Sequence, residues 1–130
     1  MSRPSILVVD DEVNMRETLA DILHAEGFDV RTAATGEKAV KICKSRLFDA
    51  VLMDVRMPGI DGIEASRRIR RIQGDVQVII MSAYSVDHLV QSTPAEGIVA
   101  FLRKPLDAAE LLSLLSEFRN GDSADEGEPT

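Results

Sequence analysis

Reactive side chains stand at the ends of four separate apolar runs in this chain. They are three carboxylates, one hydroxyl and one amine, supplied by Asp10, Asp11, Asp54, Ser82 and Lys104. Carboxylates that lie close together repel one another, which costs stability unless a cation neutralises them. All-oxygen ligands at an open, wet edge of a protein suit Mg²⁺ or Mn²⁺. The residues therefore predict a site for a divalent metal.

The same residues indicate phosphoryl chemistry at that metal. A bound cation would screen the charge between Asp54 and an incoming phosphate. Lys104 would offer the phosphate a positive charge, and Ser82 would offer it a hydroxyl donor. Asp54 directly follows a strongly apolar run. We therefore interpret Asp54 as the residue that takes up a phosphoryl group.

Each residue also has a simpler interpretation. The acidic segment from Asp10 to Glu12 would serve as an N-terminal cap of the first helix, because acids favour helix N-termini. Asp54 alone would fit a turn, Ser82 alone a loop hydroxyl, and Lys104 alone a solvated lysine. The functional interpretation depends on four strand ends that supply complementary chemistry at once.

Strand-like and helical patterns alternate five times along the chain, and these elements must position the reactive residues. Short continuous apolar runs are typical of strands covered on both faces. The alternation predicts an α/β fold with a parallel sheet between two layers of helices, and ligands then bind beyond the carboxyl ends of the strands. The predicted strands are 6–9, 30–33 (at a sheet edge), 50–53, 76–81 and 98–102, and the predicted helices are 15–23, 36–46, 63–72, 87–91 and 108–118.

Composition limits the class of protein. The 130 residues suit one ordinary domain. No apolar run approaches the roughly 20 residues that span a bilayer, and the N-terminus lacks a secretory cleavage site. Cys43 is the only cysteine, so an internal disulfide is impossible and a reducing cytoplasm is the simplest setting.

Charge is uneven along the chain. The net charge is −7, and the last eleven residues contain four acids with no lysine or arginine. The rest is only mildly acidic and lacks the clustered positive charge that direct nucleic-acid binding requires. The end of the chain also lacks apolar periodicity, so we predict a folded domain over residues 1–119 and a disordered acidic tail over 120–130.

Several segments match a known family in order and at family spacing. They are ILVVDDE (6–12), DVRMPG (54–59) followed by DG (61–62), MSAY (81–84) and FLRKP (101–105). Each segment alone would be weak, but together they are highly specific. Over residues 5 to about 118 the chain resembles the receiver domain of two-component response regulators.

The resemblance implies a flavodoxin-like, three-layer fold whose five parallel strands have the order 2-1-3-4-5. Asp54 matches the phosphoacceptor of the family. Asp10 and Asp11 match its acidic pair, with Asp11 as the direct ligand of Mg²⁺ (or Mn²⁺). The backbone carbonyl of Arg56, two residues after the acceptor, matches the remaining protein ligand.

Three further residues match the positions that transmit the signal in the family. Ser82 matches the switch hydroxyl, which turns toward the phosphoryl group. Phe101 matches the aromatic position that swings inward when the hydroxyl moves. Lys104 matches the lysine that pairs with the phosphate, and the resemblance implies a cis bond between Lys104 and Pro105.

The resemblance also implies partners. A receiver takes its phosphoryl group from a sensor histidine kinase or a histidine phosphotransfer protein, and it signals to an effector in trans or to an attached output domain. No output domain follows residue 118, so the chain is either a stand-alone relay protein or a piece of a longer regulator. In either case it is a phosphoacceptor that assists its own phosphorylation and dephosphorylation, and not an enzyme with a separate substrate.

Two other functions have to be weighed. A pseudo-receiver binds partners without phosphorylation, and Pro94 favours this by distorting the helix predicted from Asp87, which belongs to the output surface in the family. A magnesium-dependent phosphatase with an aspartate nucleophile would need a second carboxylate two residues after Asp54. That position is Arg56, which argues against a phosphatase.

Overall fold

A computed structural model describes residues 3–83 and 97–127, with side chains described as far as Phe118. Its core is one sheet of five parallel strands in the order β2-β1-β3-β4-β5. This confirms both the predicted α/β class and the strand order that the family resemblance implies. The strands are β1 (Ser5–Val9), β2 (Asp29–Ala33), β3 (Ala50–Asp54), β4 (Gln77–Ser82) and β5 (Ile98–Arg103).

Helices cover both faces of the sheet. Helices α1 and α4 bury leucines, among them Leu19 and Leu111, against one face. Helices α2 and α3 bury Ala39, Ala65 and Ile69, among others, against the other face. Each central strand therefore lies between two apolar layers, which explains its continuous apolar sequence. The described helices are α1 (Val13–Ala25), α2 (Gly36–Cys43), α3 (Gly62–Ile72) and α4 (Ala108–Gly127).

Local sequence signals explain where several elements begin and end. Helix α2 begins after Thr35, whose hydroxyl oxygen accepts a hydrogen bond from the Lys38 amide at 3.0 Å. Helix α1 ends before Gly27, which adopts a φ of +93° that favours glycine. Strand β2 lies at the edge of the sheet with Arg31 and Thr32 exposed, as its polar interruptions predicted.

Helix α4 differs most from its predicted bounds. It was predicted to end near Phe118, but its backbone continues to Gly127, into the segment for which the sequence predicted disorder. Ala124 and Glu126 have good helix propensity, and adding residues to a formed helix costs far less than starting one. The division of the chain at residue 119 into a domain and a tail stays a prediction.

The short helix predicted at 87–91 and the neighbouring Pro94 lie outside the described residues. None of the helices in the described ranges is long and apolar enough to cross a lipid bilayer.

Strand β5 contains one extra residue relative to its partner. Val78 pairs with Ile98, but the next residue of β4, Ile79, pairs with Ala100. Val99 is therefore left over as a β-bulge and is half exposed. Beyond the bulge the register is regular again, and Ser82 pairs with Arg103 at the end of the sheet.

Candidate functional site

Three acidic side chains meet where strands β1 and β3 end. These strands are neighbours in the sheet, so Asp10 and Asp11 after β1 come beside Asp54 at the end of β3. Each of the three residues offers a carboxylate oxygen, and these oxygens all lie within 4.8 Å of one another. Asp10 is fully buried and Asp54 is 5% exposed, whereas Asp11 is exposed. The cluster is therefore open to solvent on the Asp11 side.

Lys104 is the cation of this cluster. Its Nζ donates to Oδ2 of Asp10 at 2.7 Å and lies 3.4 Å from Oδ2 of Asp54. The lysine side chain is only 15% exposed. Its backbone amide donates to the carbonyl of Ser82 at 2.7 Å, and the bond to Pro105 is cis, which confirms that implied feature.

The electrostatic balance leaves Asp54 short of positive charge. Burial, followed by repulsion from Asp10, raises the pKa of Asp54 to about 6, although Lys104 opposes the shift. Burial lowers the pKa of Lys104, but its hydrogen bond to Asp10 and its attraction to Asp54 outweigh burial and raise it overall. In the described part of the chain Lys104 contacts Asp10 and Asp54, and Asp11 adds a third negative charge to the cluster, so a divalent cation would reduce the remaining repulsion.

Two contacts hold the turn between β1 and α1 that presents the acidic pair. The Glu12 amide donates to Oδ1 of Asp10 at 2.9 Å. The guanidinium of Arg16 donates to the backbone carbonyl of Asp10 at 2.8 Å. Sequence reasoning did not identify Arg16, because a lone arginine in the first turns of a helix carries no signal of such a contact.

Gly62 fixes the backbone that follows the acceptor strand. Its amide donates to the carbonyl of Val55 at 2.8 Å. A Cβ atom on Gly62 would lie 2.1 Å from the carbonyl oxygen of Asp54, so only glycine fits at this position. Asp61 precedes it and caps helix α3, accepting a hydrogen bond from the Glu64 amide at 2.9 Å. The Asp-Gly pair matched in the sequence therefore has two separate structural tasks.

The other predicted site residues lie around this cluster. Ser82 is buried at the last position of β4. Phe101 pairs with Ile80 and is partly buried on the face covered by α2 and α3. Arg56 is exposed, two residues beyond Asp54. The structure thus brings Asp10, Asp11, Asp54 and Lys104 into one cluster and puts Ser82 at the same edge of the sheet, while the roles of all these residues stay predictions.

The residues present fit a hard divalent cation. The three clustered donors are carboxylate oxygens, and two of them are buried beside a single lysine. Oxygen ligands near an open position are the arrangement that Mg²⁺ prefers, because this ion keeps several waters.

Comparisons with known proteins agree with this geometry. The family model of the response regulator receiver domain matches residues 6–116. Sporulation initiation phosphotransferase F of Bacillus subtilis is 33% identical over 118 residues, which cover 91% of this chain and 95% of that protein. The transcriptional regulatory protein ZraR of Klebsiella oxytoca is 39% identical over 86% of this chain, but the match covers only 25% of ZraR.

Solved structures give the same result. Response regulator TrrA of Thermotoga maritima, in complex with Mg²⁺ and beryllofluoride, is 36% identical with a TM-score of 0.79, and the match covers 88% of this chain and 97% of that one. The receiver domain of a sensor histidine kinase from Pseudomonas aeruginosa, with magnesium in its active-site cleft, is 30% identical with a TM-score of 0.79 over 89% and 97% of the two chains. With its sheet order, its clustered strand-end carboxylates and these matches over most of its length, the chain belongs to the response regulator receiver domain family.

Proposed function

We propose that Asp54 accepts a phosphoryl group from a sensor histidine kinase or a histidine phosphotransfer protein in a reaction that requires Mg²⁺ or Mn²⁺. The observation that carries this proposal is the contact of a partly buried lysine with two buried carboxylates. Lys104 Nζ lies 2.7 Å from Asp10 and 3.4 Å from Asp54. Such an arrangement is costly for mere stability, because buried charges lose their hydration.

The metal would be held by Asp10, Asp11 and Asp54 together with the backbone carbonyl of Arg56. When bound, it supplies positive charge that offsets the repulsion between the carboxylates and a phosphate. Asp11 is the exposed member of the cluster, so it is the carboxylate best placed to bind an ion that arrives from solvent.

The chemical step needs an ionised Asp54. An oxygen of Asp54 attacks the phosphorus atom of the donor, and the bond between phosphorus and the donor histidine nitrogen breaks. The electron pair of that bond stays on the imidazole, which takes a proton from solvent. With a pKa of about 6, Asp54 is mainly ionised at neutral pH. Lys104 Nζ then donates to the phosphoryl oxygens, and its hydrogen bond to Asp10 becomes weaker.

Relatives support the proposed partners and cofactor. TrrA also has a solved complex with histidine kinase ThkA, and this copy of TrrA is 36% identical to the present chain. CheY from Borrelia burgdorferi, also 36% identical, was solved in a complex with CheX, beryllofluoride and magnesium. By analogy we propose a kinase or phosphotransfer protein upstream of this chain and a protein effector, or an attached output domain, downstream.

Phosphorylation can be tested with a small donor. Incubation with acetyl phosphate and Mg²⁺ is expected to add one phosphoryl group per chain, observed by intact mass spectrometry. The adduct should be cleaved by hydroxylamine, because it is an acyl phosphate, and it should not form in the presence of a chelator. No adduct in saturating Mg²⁺ would overturn the proposal and favour a pseudo-receiver. A hydroxylamine-resistant adduct would also overturn it, because the phosphoryl group would then be on a hydroxyl and not on Asp54.

The conformational switch requires its own test. We propose that the hydroxyl of Ser82 donates to the phosphoryl group and that Phe101 then moves inward. Backbone NMR shifts induced by Mg²⁺ and beryllofluoride should extend to Phe101 and α4 in the wild type. In Ser82→Ala they should shrink to the metal site. Distant shifts that persist unchanged in Ser82→Ala would show that the signal does not pass through this hydroxyl.

A further inference from the structure

The loop between β3 and α3 carries Arg56, and backbone hydrogen bonds hold its first residue to β4 and to the first residue of α3. The Val55 amide donates to the carbonyl of Met81 at 3.1 Å, and the Gly62 amide donates to the carbonyl of Val55 at 2.8 Å. These bonds fix the first and last positions of the loop. Between these two positions the loop carries the backbone carbonyl of Arg56, one of the proposed metal ligands.

A carboxylate from a different helix supplies a support. Oε2 of Glu37, in the first turn of α2, accepts a hydrogen bond from the Ile60 amide at 3.0 Å. Gly59 turns directly beneath it with a φ of +83°. A Cβ atom on Gly59 would lie 2.5 Å from Oε2 and 2.8 Å from Oε1 of Glu37. The carboxylate therefore occupies the space that the glycine leaves open.

The beginning of α2 is itself held firmly against this loop. Gly36 lies so close to the loop that a Cβ atom there would be 2.8 Å from Cγ1 and 3.1 Å from the carbonyl oxygen of Ile60. Thr35 caps the helix through its hydrogen bond with the Lys38 amide. Glu37 therefore projects from a packed and capped helix end, which is a more rigid support than a second loop would be.

We propose that Glu37 is a positioning residue for the metal site, acting through the Gly59–Ile60 backbone on the loop that carries Arg56. The inference rests on the proposed function, in which the Arg56 carbonyl binds the metal. Outer residues that orient metal ligands commonly tune the affinity of a site without touching the ion. Glu37 contacts the backbone of the loop that carries Arg56, and it lies on α2, which supplies none of the proposed ligands.

A structural role of the charge alone is the main alternative. An acid in the first turn favours helix formation through the helix dipole, whatever it contacts. Glu37→Gln separates the two roles, because the amide keeps an oxygen that can accept from Ile60 but loses the charge. Glu37→Ala removes both, and Glu17→Ala makes the same change at an exposed helical acid of α1.

Magnesium titration followed by NMR is expected to show affinity about threefold to tenfold weaker in Glu37→Ala than in the wild type. The Mg²⁺ affinities of Glu37→Gln and Glu17→Ala should stay within about twofold of the wild-type value, because neither change removes the hydrogen bond to the Ile60 amide. In the metal-free protein, hydrogen exchange of the Ile60 amide should be faster in Glu37→Ala only. This second measurement does not depend on a bound ion.

The possible results separate this inference from the proposed function. A wild type that binds no Mg²⁺ would refute the proposed function. If the wild type binds Mg²⁺ and Glu37→Ala binds it equally tightly, the positioning role is refuted and the proposed function is not. Equal weakening in Glu37→Gln and Glu37→Ala would assign the effect to charge and would also overturn it, as would unchanged exchange of the Ile60 amide.

Discussion

Asp54→Ala is expected to abolish labelling by acetyl phosphate while leaving the protein folded. The neighbouring Asp10 is a poor replacement for Asp54 as the nucleophile, because Asp10 is fully buried and both of its carboxylate oxygens accept hydrogen bonds, from the Glu12 amide and from Lys104 Nζ. Asp75→Ala is the matched control, because Asp75 is an exposed acid near the opposite end of the sheet. Labelling of Asp54→Ala to the wild-type level would contradict the assignment.

The same position has a predictable effect on stability. The pKa of Asp54 is raised from 3.8 to about 6 by burial and by Asp10. Between these two values the folded protein holds a proton that the unfolded chain releases, so the free energy of unfolding falls as pH rises through this window. A difference of about two pKa units lowers the free energy of unfolding by up to about 3 kcal/mol above pH 6.

An isosteric variant tests this penalty. In metal-free buffer, Asp54→Asn is expected to be more stable than the wild type at pH 8 and about equally stable at pH 4. Urea unfolding at the two pH values measures the difference. A variant that is less stable at both values would show that the ionised carboxylate does not carry the predicted cost. An inactive but more stable Asp54→Asn would also exclude misfolding as the cause of lost labelling.

Asp11→Ala is expected to abolish tight Mg²⁺ binding and phosphorylation together. Asp11 is the exposed acid of the cluster, and removing it leaves an ion the Arg56 carbonyl and two carboxylates that already pair with Lys104. In the wild type at pH 7, saturating Mg²⁺ should add about 1–3 kcal/mol to the free energy of unfolding, since the ion binds only the folded state. In Asp11→Ala the gain should fall below about 0.5 kcal/mol.

Acid should weaken the magnesium effect in the wild type as well. Asp54 takes up a proton as pH falls through about 6, and a protonated carboxyl is a poor ligand. The Mg²⁺-induced rise in melting temperature should therefore be smaller at pH 5 than at pH 7.

The control for Asp11→Ala is Glu12→Ala, which removes the charge of a neighbouring exposed acid. A rise that Asp11→Ala retains in full would place the ion elsewhere.

The sequence alone was sufficient for much of this fold. Continuous apolar runs predicted the buried strands, polar interruptions predicted that β2 lies at an edge, and the alternation of patterns predicted a parallel sheet. These features depend on burial and local geometry, which a run of residues carries in itself. The end of α4 did not follow, because helix extension and disorder differ little in free energy for such a segment.

Identifying the candidate site required both the sequence and the order of the strands in the sheet. The sequence placed Asp10, Asp54, Ser82 and Lys104 at strand ends, but their types and spacing did not by themselves say which strands are neighbours. The strand order came from resemblance to a family, and the structure confirmed it. Once β1 lies beside β3, the carboxylates must meet, because the carboxyl ends of adjacent parallel strands share one edge.

Close approaches between distant parts of the chain were decided only by the tertiary structure. Nothing in the sequence indicates that Glu37 reaches the Ile60 amide or that Gly62 lies against the carbonyl of Asp54. The bulge at Val99 is another feature that the sequence does not indicate. A one-residue shift exchanges the two faces of a strand, so this bulge sets Phe101 opposite Ile80 and brings the Lys104 amide to Ser82. The sequence thus determined which residues could do the chemistry, and the packing of the sheet decided their register, because register depends on partners that lie far away along the chain.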